Sequence, residues 1–181
     1  MDDEFIYTFR SREGLPLKIR PMTPDDARHL VDLFEHMGPE SRFLRFNLAL
    51  PNPDPDLVWA EAQRMAQVDP EKDGAWLVFA DLPDQTNAPV AGGRFVRLDE
   101  DTAEASLAVR DDKQGQGIGG ELLLFMIDQA RERGVRRLVA TIQRANRPLW
   151  HLLQSSGLEI EIESQGSYSN ISVDLVQPEA G

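Results

Sequence analysis

The chain has 181 residues, 41% hydrophobic and 28% charged, with no cysteine and a formal net charge of −12. This is the composition of an ordinary globular domain long enough to bury a core as one unit over 1–181, and it rules out a disulfide framework, thiolate metal sites and a cysteine nucleophile. The acidity argues against a general nucleic-acid binder, no apolar run approaches the ~18 residues that span a bilayer, and the acidic start MDDEFIYTFR is unlike a signal peptide, so a cytoplasmic protein with neither a nucleic-acid nor a membrane partner is expected.

In chain order, YTFRSREGLPLKIRPM reads as two short strands around a turn at Glu13-Gly14. Thr23-Pro24-Asp25-Asp26 opens a helix, with Thr23 as N-cap, Pro24 at the first position and Asp26 completing a capping box; Leu30, Phe34 and Met37 carry its apolar face to a stop at Gly38-Pro39. PESRFLRFNLAL starts a second helix, PNPDPD reads as a loop, and a third helix is expected over 57–67. The apolar run AWLVFADL predicts a buried strand, and 90–98 with 103–109 an antiparallel pair. After a glycine loop, Leu122, Leu123, Phe125, Met126, Ile127 and Ala130 mark a helix that ends in Arg131, Arg133 and Gly134, suited to its C-terminus. RRLVATI is a strand, 147–156 a short helix closed by Gly157, and LEIEIES and SYSNISVDL are two closing strands. The sum is an α+β domain: a mixed, mostly antiparallel sheet flanked by helices, with a central strand–glycine loop–helix–strand unit.

The segment QGQGIGG, from Gln114 to Gly120, holds four of the thirteen glycines and satisfies G-x-G-x-x-G. A dinucleotide site would place its first glycine at the end of a strand and an acid about 20 residues on. Here Arg110 to Lys113 intervene, and the following strand leads to Gln143 and Arg144. A P-loop needs Lys and Ser or Thr after the last glycine, whereas Glu121 follows Gly120. A turn tightened for packing explains one or two glycines but not four, because each costs conformational entropy. The remaining reading is a pyrophosphate cradle, in which backbone N–H groups and a helix N-terminus near Gly119 converge on an anion.

VRDDKQGQGIGGELL contains Gln114-x-x-Gly117-x-Gly119, which resembles the Q/R-x-x-G-x-G/A signature of the GNAT superfamily of acyl-CoA-dependent N-acyltransferases. The strand before, the helix after, the strand RRLVATI and Asn146 at the head of a short helix extend the resemblance over roughly residues 17–163. It implies that the amides of Gln114, Gly115, Gln116, Gly117, Ile118, Gly119 and Gly120 hold the pyrophosphate of acetyl-CoA. The cofactor arm would then pair with Leu107, Ala108 and Val109, and Asn146 would contact it while also serving as an N-cap. Lys113 and Arg147 stand as solvated cations that could reach an outer phosphate, and no metal is expected. His29, His36 and His151 have no metal-ligand spacing and read as exposed or hydrogen-bonded helix residues.

Acyl transfer needs a neutral amine, and a lysine-like amine of pKa ~10.4 is neutral about once in 2,500 at pH 7, a penalty of roughly 4.6 kcal/mol. Glu104 in AEASLAVR matches the place of the superfamily's catalytic glutamate, where small and apolar neighbours could raise its pKa as base work requires; the alternative is a carboxylate on the strand's exposed face, beside Glu100 and Asp101 in a turn. Many relatives carry a tyrosine as general acid where this chain has Leu153, and the chain's tyrosines are Tyr7 and Tyr168. IRPMTPDDARHLVDLFEHMGPESRFLRF with AEASLAVRDDKQGQGIGGELL is most similar to the catalytic domain of bacterial Pat-type protein-lysine acetyltransferases. That implies a protein lysine as amine acceptor, for example on an acyl-CoA synthetase, with Gly38 to Phe46 as acceptor wall or as core packing through Phe43, Leu44 and Phe46. A small amine (polyamine, amino acid or antibiotic) and a non-catalytic acyl-CoA-binding module are the alternatives.

Overall fold

The computed structural model describes residues 4–176; residues 1–3 and 177–181 of the expected domain lie outside the described residues. The chain starts with a hairpin, β1 (Tyr7–Arg10) and β2 (Pro16–Pro21), turned at Gly14 with a positive φ of 85°. Three helices follow, α1 (Ala27–Glu35), α2 (Pro39–Phe46) and α3 (Pro55–Ala66). The strands β3 (Gly74–Ala80), β4 (Ala88–Arg97) and β5 (Thr102–Val109) lead through the glycine loop into α4 (Ile118–Glu132). Strand β6 (Arg137–Gln143), helix α5 (Arg147–Ser155) and the hairpin β7 (Ile160–Gln165) and β8 (Tyr168–Asp174) complete the chain.

Two local expectations shift. The predicted first helix begins as a single 3₁₀ turn, Pro24–Asp26, before α1. The third begins inside the predicted loop, at Pro55, because proline suits the first helical position and the Asp54 carboxylate accepts the Asp56 N–H at 2.9 Å.

Among the described residues the strands form one eight-stranded sheet in the order β1-β2-β3-β4-β5-β6-β8-β7. Every neighbouring pair is antiparallel except β5 and β6, which run parallel. Because β8 sits between β6 and β7, the sheet runs on to Asp174, past the stretch that carries the resemblance. Adjacent glycines of β4 show the two layers. A Cβ on Gly92 would meet Leu33 of α1, and one on Gly93 would meet Met126 and Leu122 of α4. All seven residues of β3 are buried, as a strand covered on both faces requires. Leu17, Trp76, Phe95, Leu122 and Met126 anchor the core on the α4 side.

The entry to α1 is pinned by a buried ionic cluster. Asp26 accepts two hydrogen bonds from the Arg20 guanidinium at 2.7 and 2.8 Å, one from Thr23 N–H at 2.7 Å, and lies 2.8 Å from His29 Nδ1. Arg20 and Asp26 are 4% and 2% exposed, so neither charge is solvated and each depends on the other. Burial alone would raise the Asp26 pKa; the bonds from Arg20, His29 and Thr23 overcome it and hold the carboxyl well below the usual carboxylate range. The capping acid read from the sequence is therefore also the anchor joining β2 to α1.

Candidate active site

The parallel pairing of β5 with β6 covers only Thr102↔Arg137, Ala103↔Leu138 and Glu104↔Val139. Beyond Glu104 the two strands part. From Ala105 to Val109 the backbone of β5 is paired with β4 on one side and leaves its β6 side open. A cavity of about 540 Å³ fills this opening and brings together Leu107, Ala108, Val109, Gln114, Gly115, Gln116, Gly117, Ile118, Gly119, Gly120 and Asn146. Residues chosen from two places in the sequence thus line one cleft between splayed strands.

The glycines of the loop have separable causes. Gly115 and Gly117 sit at φ of 76° and 86°, which a side chain rarely adopts, and Gly117 is the N-cap of α4. A Cβ on Gly119 would come within 3.2 Å of Leu152 of α5. Gly120 differs: it is an ordinary helical residue of α4, nothing beyond its chain neighbours and its own helix backbone lies within 4 Å of its added Cβ, and it lines the cleft. Nothing in the packing around the helix calls for glycine there, and a side chain would narrow the cleft at the helix N-terminus. The amides of the first turn of α4 have no helical partners, so they are free to hold an anion. The loop therefore fits a pyrophosphate. Gly120→Ala is expected to keep or raise the melting temperature, since alanine is the better helix former by roughly 0.5–1 kcal/mol. It should weaken acetyl-CoA binding about tenfold through the methyl group's intrusion, and calorimetric titration with a melting curve reads both quantities.

Gln114 plays a positional part. Its Nε2 donates to the Val109 carbonyl at 3.1 Å and to Asp111 Oδ1 at 3.2 Å, folding the loop back on the end of β5. The Asn146 side chain accepts the Leu149 N–H at 3.2 Å and also lines the cleft, so the capping and lining roles coexist. Of the two cations weighed for the outer phosphate, Lys113 lines the cleft and Arg147 does not. Three others that the sequence reading missed do: Arg10, Arg12 and Arg45. The β1–β2 turn rests on the glycine loop, with Arg12 N–H donating to the Gln116 carbonyl at 2.8 Å. No local signal could reveal a partnership across a hundred residues.

Helix α2 roofs the parted strands. At its C-terminus Arg45 Nη2 donates to Ser106 Oγ of β5 at 2.9 Å, and its C-cap Asn47 accepts from Gln143 Nε2 of β6 at 2.9 Å. The helix thus straddles the gap, and Ser41, Leu44 and Arg45 line the cleft. No α2 residue is buried, and Phe43 is 39% exposed, so the segment is not a core element, although Phe46 packs on Phe34.

Glu104 stands where the strands begin to part, on the face opposite α4. It lines a second cavity with Arg137, Val139, Thr141, Glu161, Glu163, Asn170 and Ser172; Ala140 and Thr141 border both cavities. Glu104 is exposed, in a cavity lined by both polar residues and the apolar Val139, Ala140, Ile162 and Ile171, so the burial that would raise its pKa is not what surrounds it. The sequence could not show this, since it depends on which strands the helices reach. Leu153, at the tyrosine position, is buried, and Tyr7 and Tyr168 line neither cavity. Ser155 and Ser156 line the first cleft, but their hydroxyls bond to the carbonyls of Leu152 and Leu153. Among the histidines, His29 and His36 are engaged with Asp26 and Asp32, while His151 is exposed on the cleft wall. Among the described residues no group of acids and histidines could hold a metal, and no helix is long and apolar enough to cross a membrane.

The model of the Acetyltransferase (GNAT) family matches residues 31–158, from α1 through the glycine loop to just past α5. The chain belongs to this family. The GNAT domain of S. lividans PAT superposes with a TM-score of 0.79 at 25% identity, covering 93% of this chain and 96% of that one. Acetyltransferase PA5475 of Pseudomonas aeruginosa is 24% identical over 145 residues, 80% of this chain and 76% of that protein. L-amino acid N-acyltransferase MnaT of Escherichia coli is 42% identical over 59 residues, so the match spans 33% of this chain and 34% of MnaT. As a GNAT member the chain is an N-acetyltransferase with acetyl-CoA as donor and an amine as acceptor, and the mixed sheet flanked by helices is the GNAT fold.

Proposed function

We propose that this GNAT enzyme acetylates the ε-amine of a protein lysine, such as one on an acyl-CoA synthetase, with Glu104 as general base and the cleft from Val109 to Gly120 as donor site. The observation that carries the reading is the position of Glu104 at the point where β5 and β6 part. On one side of that point lies the donor cleft, and on the other an uncovered shelf of the sheet. An open shelf bearing Glu104, Glu161 and Glu163 admits a large, cationic acceptor in a way that a closed pocket would not. Likeness to the GNAT domain of S. lividans PAT supports it.

In this reading the amine nitrogen attacks the thioester carbonyl, the C–N bond forms and the C–S bond breaks, and Glu104 takes the proton directly or through a water. With Leu153 buried and the Ser155 and Ser156 hydroxyls engaged, the departing thiolate of pKa ~8.5 takes its proton from solvent. A second reading, a free amino acid as acceptor, is favoured by the likeness to MnaT. Incubation with acetyl-CoA and an acyl-CoA synthetase, free amino acids and polyamines, followed by mass spectrometry, separates the two. Acetyl-lysine on the synthetase is expected; turnover confined to free amines would replace the protein substrate by a small one.

A further inference from the structure

The cations around the glycine loop are not equivalent. Arg110 and Lys113, just before it, share the Asp112 carboxylate at 2.6 and 3.5 Å. Arg12 comes from the other end of the chain, in the turn between β1 and β2, and lines the cleft. Its side chain lies against the loop: a Cβ on Gly117 would come within 3.3 Å of both Arg12 Cγ and Arg12 Nε. Gly117 is the N-cap of α4, so the arginine side chain runs beside the free amides of that helix. Among the described residues Arg12 forms no ion pair within 4.0 Å, even with its neighbour Glu13, in a chain with 31 acidic residues. Arg10 lines the same cleft, but its Nη1 already donates to the Gly14 carbonyl at 2.8 Å.

The turn is held in place by the protein itself. Ser11 is 6% exposed, and its hydroxyl accepts the N–H groups of Glu13 and Leu15 at 3.3 and 3.2 Å. The bond from Arg12 N–H to the Gln116 carbonyl ties the turn to the loop, and Tyr7 of β1 packs on Phe125 of α4 with ring centroids 5.4 Å apart. The hairpin precedes residues 31–158, so family membership does not rest on it. Its cation meets a local need. At a net charge of −12 the protein as a whole repels the phosphates of acetyl-CoA, and the uncharged amides of a helix start offset only part of that. A guanidinium fixed beside those amides, with no carboxylate of its own, presents the planar fork that matches a phosphate.

We infer that the first hairpin is part of the donor site and that Arg12 clamps the pyrophosphate of acetyl-CoA at the start of α4. The pyrophosphate, rather than the ribose phosphate, is then the group through which the hairpin selects its donor. The inference rests on the donor-site part of the reading above and is independent of which amine accepts the acetyl group.

Calorimetric titration of the full chain with CoA and with 3′-dephospho-CoA, at low and high salt, tests the clamp. Arg12→Gln should weaken both ligands by the same factor, roughly tenfold, the scale of a charge-assisted hydrogen bond. Its affinity should also fall less steeply with added salt than that of wild type, because one screened attraction is gone. Arg12→Lys, which keeps the charge and loses the fork, should recover part of the loss. Melting temperatures should stay at the wild-type value, since the Arg12 side chain is exposed. A loss seen with CoA and absent with 3′-dephospho-CoA would place Arg12 on the ribose phosphate and overturn the clamp. Affinity of Arg12→Gln within about twofold of wild type, or equal losses in both variants with an unchanged salt dependence, overturns any charge-based role. Wild type that binds no CoA overturns the donor site itself. An intact effect of Arg12 on CoA binding, without acetyl transfer to any amine, keeps the clamp and overturns the transfer reading instead.

Discussion

Replacing Glu104 by Gln is expected to lower kcat by roughly 10²–10⁴-fold, the usual contribution of a positioned general base. The affinity for acetyl-CoA should hardly change, because Glu104 lies outside the donor cavity that the glycine loop and the open edge of β5 define. The two effects separate a base from a structural residue: lost packing would also disturb the cleft and the melting temperature, whereas an exposed side chain contributes little packing. The residual rate of the variant should climb with pH up to the amine pKa of ~10.4, since only amine already neutral in solution reacts without a base. Steady-state kinetics over that pH range, with a calorimetric titration of acetyl-CoA, provide the check. Activity of Glu104→Gln within about threefold of wild type would move the base elsewhere.

The largest expected loss of stability comes from Asp26→Asn, about 3–5 kcal/mol, because it breaks a buried ion pair and the hydrogen bonds that the carboxylate accepts at the entry to α1. The pH dependence has a definite sign. The folded-state pKa of Asp26 lies below its unfolded value, so its contribution is fully present above the unfolded pKa and fades as pH falls toward the folded one. Wild type should therefore lose stability between about pH 4 and 2 more steeply than Asp26→Asn. Urea unfolding of both proteins at several pH values measures the slopes. Parallel slopes would mean that the carboxylate is not held ionised by the cluster. Since Asp26 anchors α1, and α1 leads directly into α2, the variant should also loosen the helix that roofs the cleft.

Much of the donor side was legible in one dimension. The contiguous run from Leu107 to Gly120 carries strand, loop and helix start together, and local chemistry suffices to read it. Glycine at Gly115 and Gly117 is a backbone requirement of the loop itself, and Asn146 caps the helix it opens. Helices and strands followed from periodicity and caps, with misplacement only where proline at a helix start passes for a loop residue, as at Pro55. Of the two settings open for Glu104, the exposed face is the one found, because residues adjacent in sequence alternate between sheet faces and which face a helix covers is not written in the strand.

By itself, then, the sequence determined the α+β architecture, the glycine loop that opens a helix and the position of the candidate base, because each depends on residues within a turn or a strand of one another. The tertiary structure alone decided what surrounds them. It ended the parallel pairing at Glu104, laid α2 across the gap through Arg45 and Asn47, and brought Arg12 from the first hairpin onto the glycine loop. These are contacts between segments tens of residues apart, chosen by how helices pack on a twisted sheet, and no local preference of the chain encodes them.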